Sequence, residues 1–274
     1  MPKLKTPLSF YGGKGRIATR IAALLNEIPH KVYVEPFFGG GAVLYAKGVK
    51  VVSNAHDYRE AINDINGQLI TFWRVAREQP EELARWIATT PYSQEEYRES
   101  LGIYRNPSTH SDLKVAWAVF IQCNMSFSKK IGAGWATGMH WNGCNHASSW
   151  LKRVLRLPEC FERLRDVHVG CEDAVRFIER FDAVNGLIYA DPPYLGTEQG
   201  HYGGYDEVQY RSLCATLDNC KSSYILSNYS QDIFPESAQK CVEIEAAMSA
   251  AGGKNLHRLN TKRVEKLWIC DRSS

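Results

Sequence analysis

No apolar run in the 274-residue chain approaches 18 residues, so a membrane-spanning helix is not expected. The opening residues, MPKLKTPLSF, lack the apolar stretch of an export signal. Eight cysteines are scattered without a CxxC pair, which leaves neither a zinc ribbon nor a redox dithiol signalled. Without an export signal they read as reduced thiols of a cytoplasmic protein. Neither GxGxxG nor GxxxxGK[ST] occurs, so a dinucleotide fingerprint and a P-loop are both unsupported. Internal repeats and low-complexity tracts are also missing. What is present is ordinary globular composition, 44% hydrophobic and 23% charged. That excludes a disordered tail, a collagen-like chain and a coiled coil. The length suits one large α/β domain, or a core domain with an insert.

A local absence says more. Residues 113–158 contain no Asp or Glu. The same stretch carries Lys114, Lys129, Lys130, Lys152, Arg153 and Arg156, with Trp117, Phe120, Phe127, Trp135, Trp141 and Trp150 between them. A basic, aromatic segment without acids suits a polyanion with stackable rings. The plain alternative is a core helix followed by a solvated basic loop. The net charge of +3 does not choose between them.

Hydrophobic patterning gives alternating strands and helices at both ends of the chain. Residues 31–37 (KVYVEPF) read as a strand that ends at glycines, with a helix starting at 41–47. Residues 61–64 read as a short strand, 66–79 as a helix stopped by Pro80, and 81–89 as another helix. Residues 113–122 are apolar on more than one face, which predicts a buried helix. Residues 132–145, rich in Gly, Asn and Trp, predict a loop or hairpin. Further strands are expected at 167–170, 187–190, 223–226, 242–244 and 267–270. The pattern implies an α/β fold with a mostly parallel sheet and helices on both faces. Residues 67–164 interrupt it as a mainly helical insert between catalytic segments 1–66 and 165–274.

Four clusters carry candidate chemistry. In Glu35-Pro36-Phe37-Phe38-Gly39-Gly40-Gly41, a glycine turn follows a strand and opens a helix, so backbone N–H groups can approach a ligand. Asp64 ends the next strand, where a carboxylate can accept both hydroxyls of a ribose or, alternatively, cap the following helix. Tyr11-Gly12-Gly13-Lys14 brings one cation to an anionic group or is a turn with a surface lysine. The most telling cluster is Asp191-Pro192-Pro193-Tyr194, directly after the apolar run LIYA. Two prolines hold the backbone extended and leave carbonyls exposed as acceptors. The Asp191 carboxylate and the Pro192 carbonyl can both accept from one exocyclic NH₂, and the Tyr194 ring offers a stacking face.

With DPPY preceded in order by GGK, a glycine turn and a variable insert, the sequence resembles the Dam-type (D12 class, α-group) DNA adenine-N6 methyltransferases. The likeness covers nearly the whole chain. It includes SFYGGK (9–14), VEPFFGGGAV (34–43), INDIN (62–66), TPYSQEEY (90–97), residues 124–138, DPPY (191–194), ILSNYS (225–230) and KRVEKLWI (262–269). It implies a Rossmann-like methyltransferase sheet using S-adenosylmethionine, without metal, on double-stranded DNA in a bacterial or phage-infected cell. It assigns Phe10, Lys14, Glu35, Phe37, Gly39, Gly41, Asp64, Asp173 and Asp191 to the cofactor, with Lys14 at the methionine carboxylate. It assigns Asp191, Pro192, Pro193 and Tyr194 to the adenine. The family often has Trp where Phe10 stands, and an aromatic where Ala174 follows Asp173.

The insert is then the target-recognition part. Lys129 and Lys130 are candidates for phosphate contacts, and Asn124 (or Gln122) for reading an adenine edge. Both amides can equally be hydrogen-bonded turn residues. The glycine-rich residues 196–205 are expected to be mobile and to close over a flipped base. Acting on one base is asymmetric and suits a monomer. A different amino group (RNA adenine, guanine or cytosine), a small-molecule substrate, or a binding module that has lost activity are the rival readings. Asp rather than Ser before Pro-Pro favours adenine, and the basic segment favours nucleic acid.

Overall fold

The computed structural model describes residues 4–48, 58–137, 145–195, 205–228, 233–246 and 263–273. In chain order the elements are α1 (Ala18–Glu27), β1 (Val32–Glu35), α2 (Ala42–Lys47), β2 (Arg59–Asn63), α3 (Gly67–Glu78), α4 (Pro80–Thr89) and α5 (Gln94–Arg105). There follow α6 (Asp112–Met125), α7 (His146–Val154), α8 (Leu157–Glu162), β3 (Val167–Gly170), α9 (Ala174–Phe181) and β4 (Gly186–Ala190). The chain finishes with α10 (Glu207–Asn219), β5 (Ser223–Asn228), β6 (Lys240–Ala246) and β7 (Arg263–Cys270).

Contacts divide the chain into two compact units. The first holds Met1–Gly13, Gly39–Val49 and Asn66–Cys171; the second holds Lys14–Phe38, Lys50–Ile65 and Glu172–Ser274. The first therefore takes in the N-terminal segment, α2 and β3 besides the expected 67–164 insert.

The first unit is built on α6. This helix is buried nearly all round, from Leu113 to Met125, which is why its apolar residues occupy every face. Phe72 and Trp73 of α3 and Phe161 of α8 are fully buried in the same unit, and Phe72 stacks on Phe120 at 6.1 Å. Each such side chain contributes about 1.5–3 kcal/mol. The surrounding helices begin at side-chain caps: Asn66 accepts from Leu69 N, Ser93 from Glu96 N, and Ser111 from Lys114 N. Each cap contributes about 1 kcal/mol. Asn66 thus takes the capping role considered above for Asp64.

The second unit carries the sheet, in the order β2-β1-β4-β5-β7-β6. β2, β1, β4 and β5 are parallel, with Val34 level with Ile188 and Ala190 with Leu226. β7 and β6 complete it antiparallel, with Leu226 opposite Trp268. β4 and β5 are buried along their whole length, as expected of central parallel strands covered on both faces. β1 is followed in sequence by β2 on one side, and β4 by β5 on the other. The switch in direction falls between β1 and β4, and open α/β sheets bind ligands outside the carboxyl ends of strands at such a point.

Candidate active site

Three strand ends of the second unit meet this criterion. β1 runs into Pro36-Phe37-Phe38, β2 into Asp64, and β4 into Asp191-Pro192-Pro193-Tyr194. Asn63 ties two of these to a third segment. Its side chain donates to the Pro36 carbonyl (3.1 Å) and the Glu172 carbonyl (2.9 Å) and accepts from Glu172 N (3.0 Å). Its own carbonyl accepts from Phe38 N at 2.8 Å. Asn63 is fully buried and is a residue whose positioning role the sequence did not reveal. Asp64 beside it is 3% exposed. Glu35 is buried and accepts from the Tyr33 hydroxyl at 2.7 Å. Burial, reinforced by Glu35, holds the Tyr33 hydroxyl well above its ordinary pKa and therefore protonated.

The centre forms around the end of β4. Lys14 is 7% exposed, not the surface lysine of a simple turn. Its ammonium donates to Asp191 Oδ1 at 2.7 Å and to the Tyr194 hydroxyl, and lies 3.5 Å from Glu265 Oε1. The Tyr194 hydroxyl is within reach of Asp191 Oδ1 (3.0 Å) and of Glu265 Oε1, and Ser227 Oγ also donates to Glu265. Burial pushes the Asp191 carboxyl up, Lys14 pulls it down, and the Glu265 charge adds to the rise. Burial and then the Asp191 and Glu265 carboxylates keep the Tyr194 hydroxyl protonated. The Asp191 side chain remains 19% exposed, so the central carboxylate is held in place yet reachable.

Tyr194 is packed into this cluster. Its ring is 5% exposed, so in this arrangement the expected stacking face is covered. The reason is the hydroxyl, which is drawn into the charge cluster. Glu265, which sequence reading did not single out, is buried at 3%. The signal was available: in β7, Glu265 shares the period-two face of Leu267 and Ile269, both buried.

Phe37 meets Tyr205 edge to face at 5.8 Å, and Tyr205 meets Tyr210 at 6.4 Å. Asp173 is the exposed N-cap of α9, with Oδ1 accepting from Val175 N and Arg176 N. Asn228, at the end of β5, is fully buried; its Nδ2 donates to the Tyr210 hydroxyl while Oδ1 has no partner among the described residues. Residues 196–204, most of the expected closing segment, lie outside the described residues.

The remaining predicted residues belong to the first unit. Gly39 and Gly41 have φ of 50° and 71°, conformations that favour glycine. The Gly39 carbonyl accepts from the buried Trp73 indole at 3.1 Å. Gly40 is fixed by packing: a Cβ there would fall 2.6 Å from Phe10 Cβ. Asn124 donates to the Pro7 and Phe120 carbonyls and accepts from Ser9 N, so its amide is occupied in holding residues 7–9. Gln122 is fully buried; it donates to Tyr97 O and Ser100 Oγ and accepts from Gly132 N. In this arrangement both amides serve as hydrogen-bonded turn residues. The hairpin they support, closed by the Ser126–Trp135 bridge, presents Phe127, Ser128 and Lys129 outward. Ser128 and Lys129 sit at φ of 53° and 61°, a strained left-handed pair. Lys130 lies 5.9 Å from the centre of the Tyr11 ring.

The donor set fits S-adenosylmethionine. Buried carboxylates at the ends of β1 and β2 suit a ribose diol and an ammonium, Lys14 suits a carboxylate, and Asn228 Oδ1 suits an N–H donor. Among the described residues no group of His, Cys, Asp and Glu is arranged to hold a metal, and no helix is long and apolar enough to cross a membrane.

Among solved structures, the chain is similar to the rRNA methyltransferase aviRa of Streptomyces viridochromogenes, at 12% identity and a TM-score of 0.39, over 93% of this chain and 86% of that one. It is also similar to protein LPL1258 of Legionella pneumophila, at 16% identity and a TM-score of 0.33, over 94% and 83% of the two chains. No curated protein matches the sequence significantly. The decisive match is to the model of the D12 class N6 adenine-specific DNA methyltransferases, which spans residues 10–262, from just before the GGK turn to the start of β7. The chain belongs to that family.

Proposed function

We propose that the chain methylates the N6 amino group of an adenine flipped out of duplex DNA, with Asp191 and the Pro192 carbonyl gripping the amine. S-adenosylmethionine, when bound, supplies an electrophilic methyl on a sulfonium. The chain's own residues do the rest. A duplex buries N6 beyond the reach of any carboxylate at a strand end, so the base must leave the stack. Asp191 and the Pro192 carbonyl accept from the two N6 hydrogens, which favours a more tetrahedral nitrogen with its lone pair directed outward. The carboxylate then faces the positive charge that develops on N6. Proton removal before attack is unnecessary.

Lys14 and Asp64 are assigned to the methionine carboxylate and the ribose, with Glu35, Phe37 and Asp173 around the remainder of the cofactor. Residues 67–164 are assigned to target recognition, with Lys129 and Lys130 as phosphate contacts. The observation that carries the reading is a partly exposed Asp191 at the topological switch, fixed by a buried lysine. The test is methyl transfer from labelled S-adenosylmethionine to mixed-sequence duplex DNA, with RNA in parallel and nucleosides read by mass spectrometry. N6-methyladenine in DNA from the native chain, and none from Asp191→Ala, is the expected result. Label in RNA only, or in another base, overturns the assignment.

A further inference from the structure

The reaction centre holds one more carboxylate than the amine-gripping step requires. Lys14 already neutralises Asp191, at 2.7 Å. A neutral pair is a poor match for an amine that becomes cationic. Glu265 changes that balance. It lies 3.5 Å from the same ammonium, is almost fully buried, and receives the hydroxyls of Tyr194 and Ser227. One ammonium and two carboxylates leave the cluster one negative charge in excess.

We propose that Glu265 is a positioning residue for methyl transfer: it gives the centre its excess negative charge and holds Lys14 and the Tyr194 hydroxyl against Asp191. The inference rests on the amine-gripping role of Asp191 proposed above. As N6 takes the methyl, the new N–C bond forms while the C–S bond breaks and its electron pair stays on sulfur. N6 then carries a formal positive charge until an N–H bond breaks and the proton passes to Asp191 and on to water. During that interval the negative charge that Glu265 adds to the chain's own groups lies near the cation on N6. At this low effective dielectric a charge a few ångströms away counts for more than in water. Tyr194 conveys the effect structurally, since its hydroxyl touches both carboxylates. The other titratable groups facing Glu265 are Lys14, Asp191 and Tyr189, with Glu35 and its partner Tyr33 farther along the strand ends. The Glu265 charge also raises the Asp191 carboxyl, so its removal lets that group ionise at lower pH.

The experiment compares Glu265→Gln and Glu265→Asp with the native chain in single-turnover methylation of duplex DNA across pH. Thermal melting and calorimetric binding of S-adenosylhomocysteine run alongside. Glu265→Gln keeps the shape and loses the charge. It is expected to bind S-adenosylhomocysteine, to methylate at least about tenfold more slowly, and to move the acid limb of the rate profile to lower pH. Glu265→Asp keeps the charge and is expected to retain the native acid limb at an intermediate rate. A Glu265→Gln enzyme at native rate with an unmoved limb overturns the inference. So does equal slowing of both variants with unmoved limbs, because that is a packing effect. Should Glu265→Gln fail to melt cooperatively, Glu265→Asp decides alone, and a displaced acid limb counts against the proposal. If the native chain places no methyl on adenine N6, it is the underlying reading that fails.

Discussion

The end of β4 and the hairpin after α6 are both punctuated by small or rigid residues, and both carry a lysine and aromatic rings. They use them in opposite ways. At the end of β4 the polar groups turn inward: Lys14, Tyr194 and Glu265 are buried and bonded to one another, and only Asp191 reaches solvent. At the hairpin the amides turn inward as scaffolding, through Gln122 and Asn124, while Phe127, Ser128 and Lys129 face outward. The first arrangement suits chemistry, which needs groups fixed before the substrate arrives. The second suits contact with a large partner, where a rigid turn offers charge and an apolar ring to whatever it meets.

The largest effect that tests this contrast is expected at Asp191. Asp191→Asn keeps the shape and removes the charge, and methyl transfer to DNA is expected to fall by about 10³-fold or more. Burial raises the Asp191 carboxyl above its ordinary value of 3.8, so the native rate is expected to fall with decreasing pH before ordinary carboxylates protonate. The stability sign is opposite to that of a typical ion-paired Asp. A folded-state value above the unfolded one means the native state binds the proton more tightly. The group's stabilising contribution is therefore full below the unfolded value and lost as pH rises through the folded one. Urea melts of native chain and Asp191→Asn across pH 3–7 check this, with their stability difference changing in that direction.

The scaffold half of the contrast is next in size. Gln122→Leu takes the acceptor from the Gly132 N–H and one partner each from Ser100 Oγ and the Tyr97 carbonyl, which keep their bond to each other, and is expected to cost about 1–3 kcal/mol in a urea melt. A loss under 0.5 kcal/mol (roughly the scale of a surface substitution) would dissolve the distinction between scaffold and contact residues. Lys129→Ala should act the other way. Duplex binding measured against salt is expected to weaken and the slope of log K on log salt to shrink by about 0.9, with melting unchanged. The smallest effect is expected at Asp173. Asn caps as well as Asp, so Asp173→Asn should change stability by no more than a few tenths of a kcal/mol. A separate loss of S-adenosylhomocysteine affinity by calorimetry would assign the carboxylate to the cofactor; unchanged affinity would leave it a cap alone.

Much of this was legible in the sequence. β3 runs Val167–Gly170 as read, and β4 lies within a residue of its expected position, because an apolar run closed by Asp-Pro-Pro leaves the chain little choice. The helix ending before Pro80 was equally clear, although its cap is Asn66 and not the Asp64 considered from the sequence. The antiparallel pair of β6 and β7 was less so, since separate short β-rich runs give no direction. The burial of Lys14 and Glu265 was hidden for a different reason. A charged residue reads as surface unless its partner is known, and these partners stand 177 and 71 positions away along the chain from Asp191 and Tyr194. The roles of Gln122 and Asn124 were ambiguous on the same ground, since an amide that reads a base and one that holds a turn look alike until their partners are seen.

The cysteines have a practical consequence. The seven described ones stand as thiols, and burial pushes Cys123 and Cys214 up to about 12 and Cys160 and Cys220 to about 11. Thiolates are the reactive form, so these four should be slow to alkylate at neutral pH. Cys171 and Cys241 are exposed, one in each compact unit. Alkylation of the native chain at neutral pH is therefore expected at Cys171 and Cys241 before these four, and peptide mapping after brief alkylation checks it.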